Sequence, residues 1–305
     1  MSWLLIFEQA LSGLQFGLML FLLAAGLTLV FGIMDMINLA HGSLYMLGAF
    51  LASTFVALTG SFTAGVLLAI PATAVLGMVL EIAVLRTLYA RDHLSQVLAT
   101  FALILILNEV VRLVWGSDAS LPMPAALAGP VQILPGLPYP AYRLVIIAVG
   151  LLIALLLYVL VAKTRIGMLV RAGASNREMA LAMGVNIKLL FTLVFGAGAA
   201  LCAVAGAMLA PLFAVQVGMG ENILILAFVV IVIGGIGSIR GALVGAVLVG
   251  VVATIGRATL PLVFGLVFQP RVASAAGPAI ASVAIYLLMA VILYFKPKGL
   301  FPARG

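Results

Sequence analysis

The sequence predicts an all-α, polytopic membrane bundle of about eight to ten transmembrane spans. Three observations predict it. Hydrophobic residues make up 66% of the 305 residues and charged residues only 8%, against roughly 45–50% and about 25% in soluble domains. So few charges cannot coat a water-exposed surface. The apolar residues fall in runs long enough to cross a hydrocarbon layer, which takes about 20 helical residues. The basic residues sit at the ends of these runs, which is the pattern of membrane orientation and not of nucleic-acid binding, despite a net charge of +7. The 32 glycines favour close helix packing in lipid.

The first run covers about 10–33 and ends in a polar interruption, Asp35 to Gly42. The second covers about 43–59. A Gly60-Ser61 turn leads to the third, which reaches about residue 85 with Pro71 inside it. A charged loop, Arg86 to His93, precedes the fourth at about 94–115. Six prolines between positions 122 and 140 exclude a helix across 116–141, because each removes a backbone donor and clashes with the preceding turn. That stretch is expected as an ordered external loop or a segment lying on the bundle. The fifth run is about 142–162, followed by a strongly basic loop at 163–188 and a sixth run at about 189–215. The apolar stretch 222–260 would overshoot a bilayer as one helix, so it is divided at the glycine-rich turn Gly234 to Gly241. Pro270 to Pro278 reads as a loop before the last run at about 279–295. The count is nine if both polar interruptions are turns, and eight or ten if one is a broken or re-entrant helix. The whole chain, 1–305, reads as one transmembrane domain.

Basic residues set the expected orientation. Loop 163–188 carries Lys163, Arg165, Arg171, Arg177 and Lys188 against the single acid Glu178, and the C-terminal tail carries Lys296, Lys298 and Arg304. Both are expected on the cytoplasmic side of the inner membrane and 116–141 outside. The N-terminus lacks the basic start and small-residue cleavage site of a signal peptide. His41-Gly42-Ser43-Leu44 and Arg240-Gly241-Ala242-Leu243 echo each other, which fits either a parallel internal repeat or chance.

Within the basic loop, Ser175 and Glu178 have the spacing of a capping box. Ala180, Leu181 and Ala182 then favour helix, and Gly184 suits the left-handed position past a helix end. A helix over 176–183 is predicted, too short to be stable alone. Met179 and Met183, four apart, share an adaptable apolar face. The segment is either a loop helix resting on lipid headgroups or a docking helix for a cytoplasmic partner.

Glu178-x-Ala180-x-x-x-Gly184 resembles the E-A-A-x-x-x-G loop of ABC-importer permeases, with Met179 at the middle alanine. Gly26-Leu27-Thr28-Leu29-Val30-Phe31-Gly32-Ile33 leading to Ile37-Asn38-Leu39-Ala40-His41-Gly42 is similar to the start of branched-chain amino-acid permeases of the LivH type. So are Gly234-Gly235-Ile236-Gly237-Ser238 with Gly241-Ala242, and the ending Lys296-Pro297-Lys298-Gly299-Leu300-Phe301. The resemblance spans nearly the whole chain. It implies a permease subunit paired with a second, LivM-like permease, two cytoplasmic ATPases and an external solute-binding protein. The solute would be a branched-chain or hydrophobic amino acid, or a related small organic molecule. Ser175, Asn176, Arg177, Glu178, Met179, Ala180, Met183 and Gly184 would then be the ATPase-coupling residues.

Polar groups inside apolar runs are functional candidates by default. Asn38 and His41, sharing a face if helical, read either as a wall or gate of the solute path or as a helix-end cap with an interfacial histidine. Glu81 with Arg86 and Glu109 with Arg112 read as structural pairs, and Thr192 and Ser282 as hydroxyls bonded to backbone carbonyls. Two histidines and one cysteine, Cys202, offer no metal site. No G-x-x-x-x-G-K-[ST] occurs, so no nucleotide cofactor is expected on this chain and ATP would be used by partner subunits. No G-x-S-x-G or H-E-x-x-H occurs either, which argues against a hydrolase. An ion-coupled secondary transporter acting alone would need buried titratable groups on several spans, and the sequence has few. An intramembrane enzyme or scaffold has no motif to stand on.

Overall fold

The computed structural model describes residues 3–301; Met1, Ser2 and residues 302–305, with Arg304, lie outside the described residues. Among the described residues, eight helices are long and apolar enough to cross a membrane. They are α1 (Trp3–Met34), α2 (His41–Thr59), α3 (Phe62–Leu88), α4 (His93–Trp115), α5 (Ala141–Lys163), α8 (Ile187–Leu209), α10 (Ile239–Phe264) and α11 (Pro270–Phe295). Two short helices, α6 (Arg165–Ser175) and α7 (Arg177–Ala182), lie in the basic loop, and a shorter apolar helix, α9 (Met219–Gly234), precedes α10. The division of 222–260 therefore holds. Gly235 and Gly237 take positive φ values of 105° and 81°, and Ser238 caps α10 by accepting from the Gly241 amide at 3.1 Å.

Residues 116–140 form no α-helix, as their prolines require, and Ala141 already opens α5. Strands β1 (Asp118–Ala119), β2 (Pro130–Leu134) and β3 (Leu137–Pro140) occupy the segment; β2 and β3 make a hairpin, and β1 pairs with β4 (Val215–Gln216). The Tyr139 side chain is fully buried and meets Ser12 of α1 at 3.3 Å. Tyr142 donates to the Met208 carbonyl at 2.8 Å, and Trp115 to Thr54 at 2.7 Å. This end of the bundle is thus pinned by side-chain bonds as well as packing.

Two sequence expectations are corrected. Pro270 to Pro278 is not a loop but the first part of α11. Pro270 stands at the helix start, where its missing N–H would have had no partner. Pro278 is carried inside the helix, while its own carbonyl accepts from Ser282 at 3.1 Å. Arg86 likewise belongs to α3, not to the following loop. The helix continues past residue 80 through a π-turn, Glu81–Leu85, and the loop shrinks to residues 89–92.

The π-turn surrounds a buried carboxylate. Glu81 is completely enclosed, and Arg86 binds both its oxygens at 3.2 and 3.0 Å. Tyr89 donates to it at 2.8 Å and Thr192 of α8 at 2.6 Å. Burial and the Glu81 carboxylate push the Tyr89 phenol well above its ordinary range, so it acts as a donor. A buried charge is tolerable only when paired and bonded in this way. The expected pairs Glu81–Arg86 and Glu109–Arg112 both form, the second at 3.4 Å with both partners exposed. Thr192 also donates to the Lys188 carbonyl.

The core is built around α1. From Leu18 to Ala25 every residue is buried. Glycines set the distances: a Cβ on Gly13 would lie 2.7 Å from the Val251 Cα of α10, and one on Gly17 would lie 2.6 Å from the Ala246 oxygen. In a membrane such close backbone packing replaces the hydrophobic effect as the driving term.

Candidate functional site

One end of the bundle gathers the ends of several elements. Arg177 of α7 reaches the last carbonyls of α1, and the tail amides of Leu300 and Phe301 donate to Ile233 and Gly234 of α9, each at 2.9 Å. A cavity of about 570 Å³ opens here, lined among others by Phe31, Asp35, Tyr89, Arg91, Gln96 and Arg177. Lys163, Arg165, Arg171 and Lys188 belong to the same end, in the loop that carries α6 and α7.

The short helix predicted at 176–183 is present as α7, with a different start. Ser175 is the last residue of α6, so it cannot cap α7, and the Ser175–Glu178 capping box does not form. Asn176 is the cap: its backbone is extended (φ −154°, ψ 101°) and its side-chain oxygen accepts from the Met179 amide at 2.9 Å. The end is as expected. Gly184 has φ +82°; its amide bonds the Leu181 carbonyl at 2.9 Å, and the Val185 amide bonds the Ala180 carbonyl at 3.0 Å. These two bonds make a Schellman motif.

The two faces of α7 differ sharply. Ala180 is 4% exposed, against 60% for Met179 and 79% for Met183. Ala180 therefore faces the chain's own bundle, next to α8, while the two methionines, four residues apart, form an apolar surface without cover in this chain, and Leu181 is half-exposed away from them. Glu178 is exposed. Helix α6 was not anticipated. Its signal was available: Thr164 caps it by accepting from the Gly167 amide at 3.2 Å, and Ile166, Leu169 and Val170 alternate with Arg165 and Arg171 at helical spacing.

Asn38 and His41 lie deeper than an interface. Both are fully enclosed. They do not share a helical face, because 35–40 is coil and α2 begins only at His41. Asp35 starts the coil with a left-handed φ of 51°, uncommon for a residue other than glycine. The coil then runs back along α1: a Cβ on Gly26 would lie 2.9 Å from His41 Nε2. Gly26 is about 12 Å from the end of α1 by helical rise, so α2 starts well inside the bundle. Asn38 makes a local turn, its side-chain oxygen accepting from the Ala40 amide at 3.0 Å. Gln96, overlooked in the sequence, braces the coil by accepting from the Ile37 amide and donating to the Leu88 and Arg91 carbonyls.

The His41 ring lies 3.1 Å from Cys202 Sγ and edge-on to Phe195. Its Nδ1 makes no hydrogen bond. Thr28 Oγ1 and Asn38 Nδ2 are also buried without partners. Asn38 thus closes a turn ahead of α2 without capping the helix, whose N-cap residue Ala40 has no side-chain bond, and the histidine is interior. In contrast to His41, Arg240 of the echoed tetrapeptide is exposed and stacks over Tyr158 at 5.4 Å; the echo marks two helix starts in unlike surroundings. Among the described residues no group of three or more His, Cys, Asp or Glu side chains could hold a metal.

Residues 9–295 match the family described as branched-chain amino acid transport system / permease component. The chain is 29% identical to the high-affinity branched-chain amino acid transport system permease protein BraD of Pseudomonas aeruginosa, over 96% of this chain and 94% of the relative. It is 30% identical to the corresponding LivH protein of Escherichia coli, over 85% and 88%. A probable LivH protein of Methanocaldococcus jannaschii is 29% identical over 82% and 81%. No solved structure matches significantly.

Proposed function

The chain belongs to the family of branched-chain amino acid transport permeases and is a multi-pass membrane protein, and on that premise we propose that it is a membrane-spanning subunit of an ATP-driven ABC importer. Its solute is a branched-chain or other hydrophobic amino acid, or a related small organic molecule. Its partners are a second, LivM-like permease subunit, two cytoplasmic ATPases and an external solute-binding protein. It binds no cofactor itself and performs no catalysis; the ATPases use the ATP. Loop 163–188 and the C-terminus face the cytoplasm of the inner membrane, since that end collects the basic residues.

One observation carries the reading: α7, six residues long, holds its apolar Met179–Met183 face outward while its other side is seated on the bundle. A helix that short gains stability only from its packing partners. Its outer face is suited to a groove on an ATPase, as amphipathic helices are recognised. On this reading Asn38 and His41 stand on the translocation path and help to close it.

The test is co-expression with the partner subunits and uptake of labelled leucine. Burying a methionine contributes about 1.5–3 kcal/mol, so Met179→Asp with Met183→Asp is expected to weaken ATPase binding more than about 100-fold. Co-purified ATPases and uptake should both disappear while the permease still inserts. Retention of both in the double variant would show that the methionine face is not the docking surface. Orientation is checked separately: in a Cys202→Ala background, Asn176→Cys should resist an impermeant thiol reagent in intact cells and react once the cells are opened. Labelling in intact cells would reverse the topology.

A further inference from the structure

We propose that Arg177 is the positioning residue that carries the movement of α7 to the inner end of α1 and the coil leading to His41. This rests on the docking of ATPases at α7. Arg177 stands at the first position of that helix, and its guanidinium leaves the helix altogether. It donates to the Met34 carbonyl at 3.1 Å and to the Ile33 carbonyl at 3.4 Å. These are among the terminal carbonyls that a helix cannot satisfy itself, and a cation there also opposes the negative end of the helix dipole.

The same guanidinium lies 4.8 Å from the centre of the Phe191 ring of α8. The Tyr89 ring meets that ring edge-on at 5.4 Å, and Tyr89 in turn holds Glu81. Arg177 is therefore clamped between two spans and the buried carboxylate network of a third. It is half-buried and forms part of the wall of the end cavity.

The segment after α1 makes this connection consequential. Directly after Met34 comes Asp35 in its left-handed turn, then the coil that delivers Asn38 and His41 to the interior. A pull on the Ile33 and Met34 carbonyls acts on the hinge of that coil. A planar guanidinium whose Nη2 bonds both carbonyls while its plane lies over the Phe191 ring holds one orientation; a lysine ammonium in its place keeps the charge and a donor but not the rigid planar contact with the ring.

The experiment compares Arg177→Ala, Arg177→Lys and the Met179→Asp/Met183→Asp variant in the co-expressed complex. Arg177→Ala is expected to keep its ATPases on co-purification and to lose about tenfold or more in leucine uptake, with ATP hydrolysis continuing but no longer responding to solute. Arg177→Lys should recover part of the uptake. A second readout reports the coil itself: the maleimide reaction rate of Ile37→Cys in a Cys202→Ala background. Trapping the ATPases with ADP and vanadate should change this rate, and the change should vanish with Arg177→Ala. Wild-type uptake in Arg177→Ala, or a trapped-state change that persists, would overturn the linkage. Loss of ATPases from Arg177→Ala would overturn it too, by placing Arg177 in the docking contact. Retention of ATPases by the methionine variant would instead remove the docking premise.

Discussion

Replacing Ala180 by aspartate is expected to abolish leucine uptake in a permease that still inserts and retains its melting temperature within a few degrees. The reason is the side of α7 on which Ala180 lies. The alanine is enclosed against the chain's own bundle, and its carbonyl closes the Schellman motif with Val185. A carboxylate there would be buried without a partner, at a cost of several kcal/mol. A penalty of about 3 kcal/mol lowers the equilibrium constant for seating α7 roughly 100-fold. The loss is local, because a six-residue helix at the end of a loop opens without unfolding the spans. Exposed α7 should be cut faster by trypsin at Arg177, and co-purified ATPases should fall in step. Ala180→Ser, which adds one small polar atom, should retain most of the uptake. Uptake at wild-type level in Ala180→Asp would mean that the seating of α7 on the bundle is irrelevant to transport.

The placement of Ala180 also shows what the sequence could and could not say. The segment was recognisable as a capped helix because Ser175, Glu178, the alanines and Gly184 stand at spacings with local meaning. Which residue capped it was not recognisable. Ser175 and Asn176 are both good caps, and the decision lay with α6, whose last turn takes Ser175. In the same way, alternation of apolar runs located the spans, and Gly235 and Gly237 located the turn between α9 and α10. Pro270 to Pro278 misled because proline at a helix start is read locally as a breaker, whereas the close approach of Gly277 to Pro261 of α10 holds the helix across it. The depth of His41 was invisible in principle. A coil of six residues can stay at a membrane surface or run back along a helix, and only the Gly26 and Gly198 contacts around the ring decide it.

Exchange of His41 for leucine is expected to leave the protein as stable as before, or more stable, and to slow transport strongly. His41 is fully enclosed with Nδ1 unpartnered, and Asn38 Nδ2 and Thr28 Oγ1 are likewise buried without partners. A buried polar group without a partner costs about 1–3 kcal/mol, and replacing it by an apolar group of similar shape removes that cost. In the proposed alternating cycle this conformation is the one with the path closed at His41. Leucine therefore stabilises the closed state and gives nothing to a state in which position 41 meets water or solute. A difference of about 1–3 kcal/mol shifts such an equilibrium by about 5- to 150-fold, and leucine uptake should fall by a factor in that range. ATPases should remain bound, since α7 is untouched. His41→Gln, which keeps polar atoms at the site, should transport faster than His41→Leu while melting at a lower temperature. Stability and uptake thus move in opposite directions across the pair, which a purely structural histidine would not produce. If His41→Leu transports at the wild-type rate, or if both variants lose uptake only in proportion to lost stability, His41 is a packing residue beside the Asn38 turn and the path runs elsewhere.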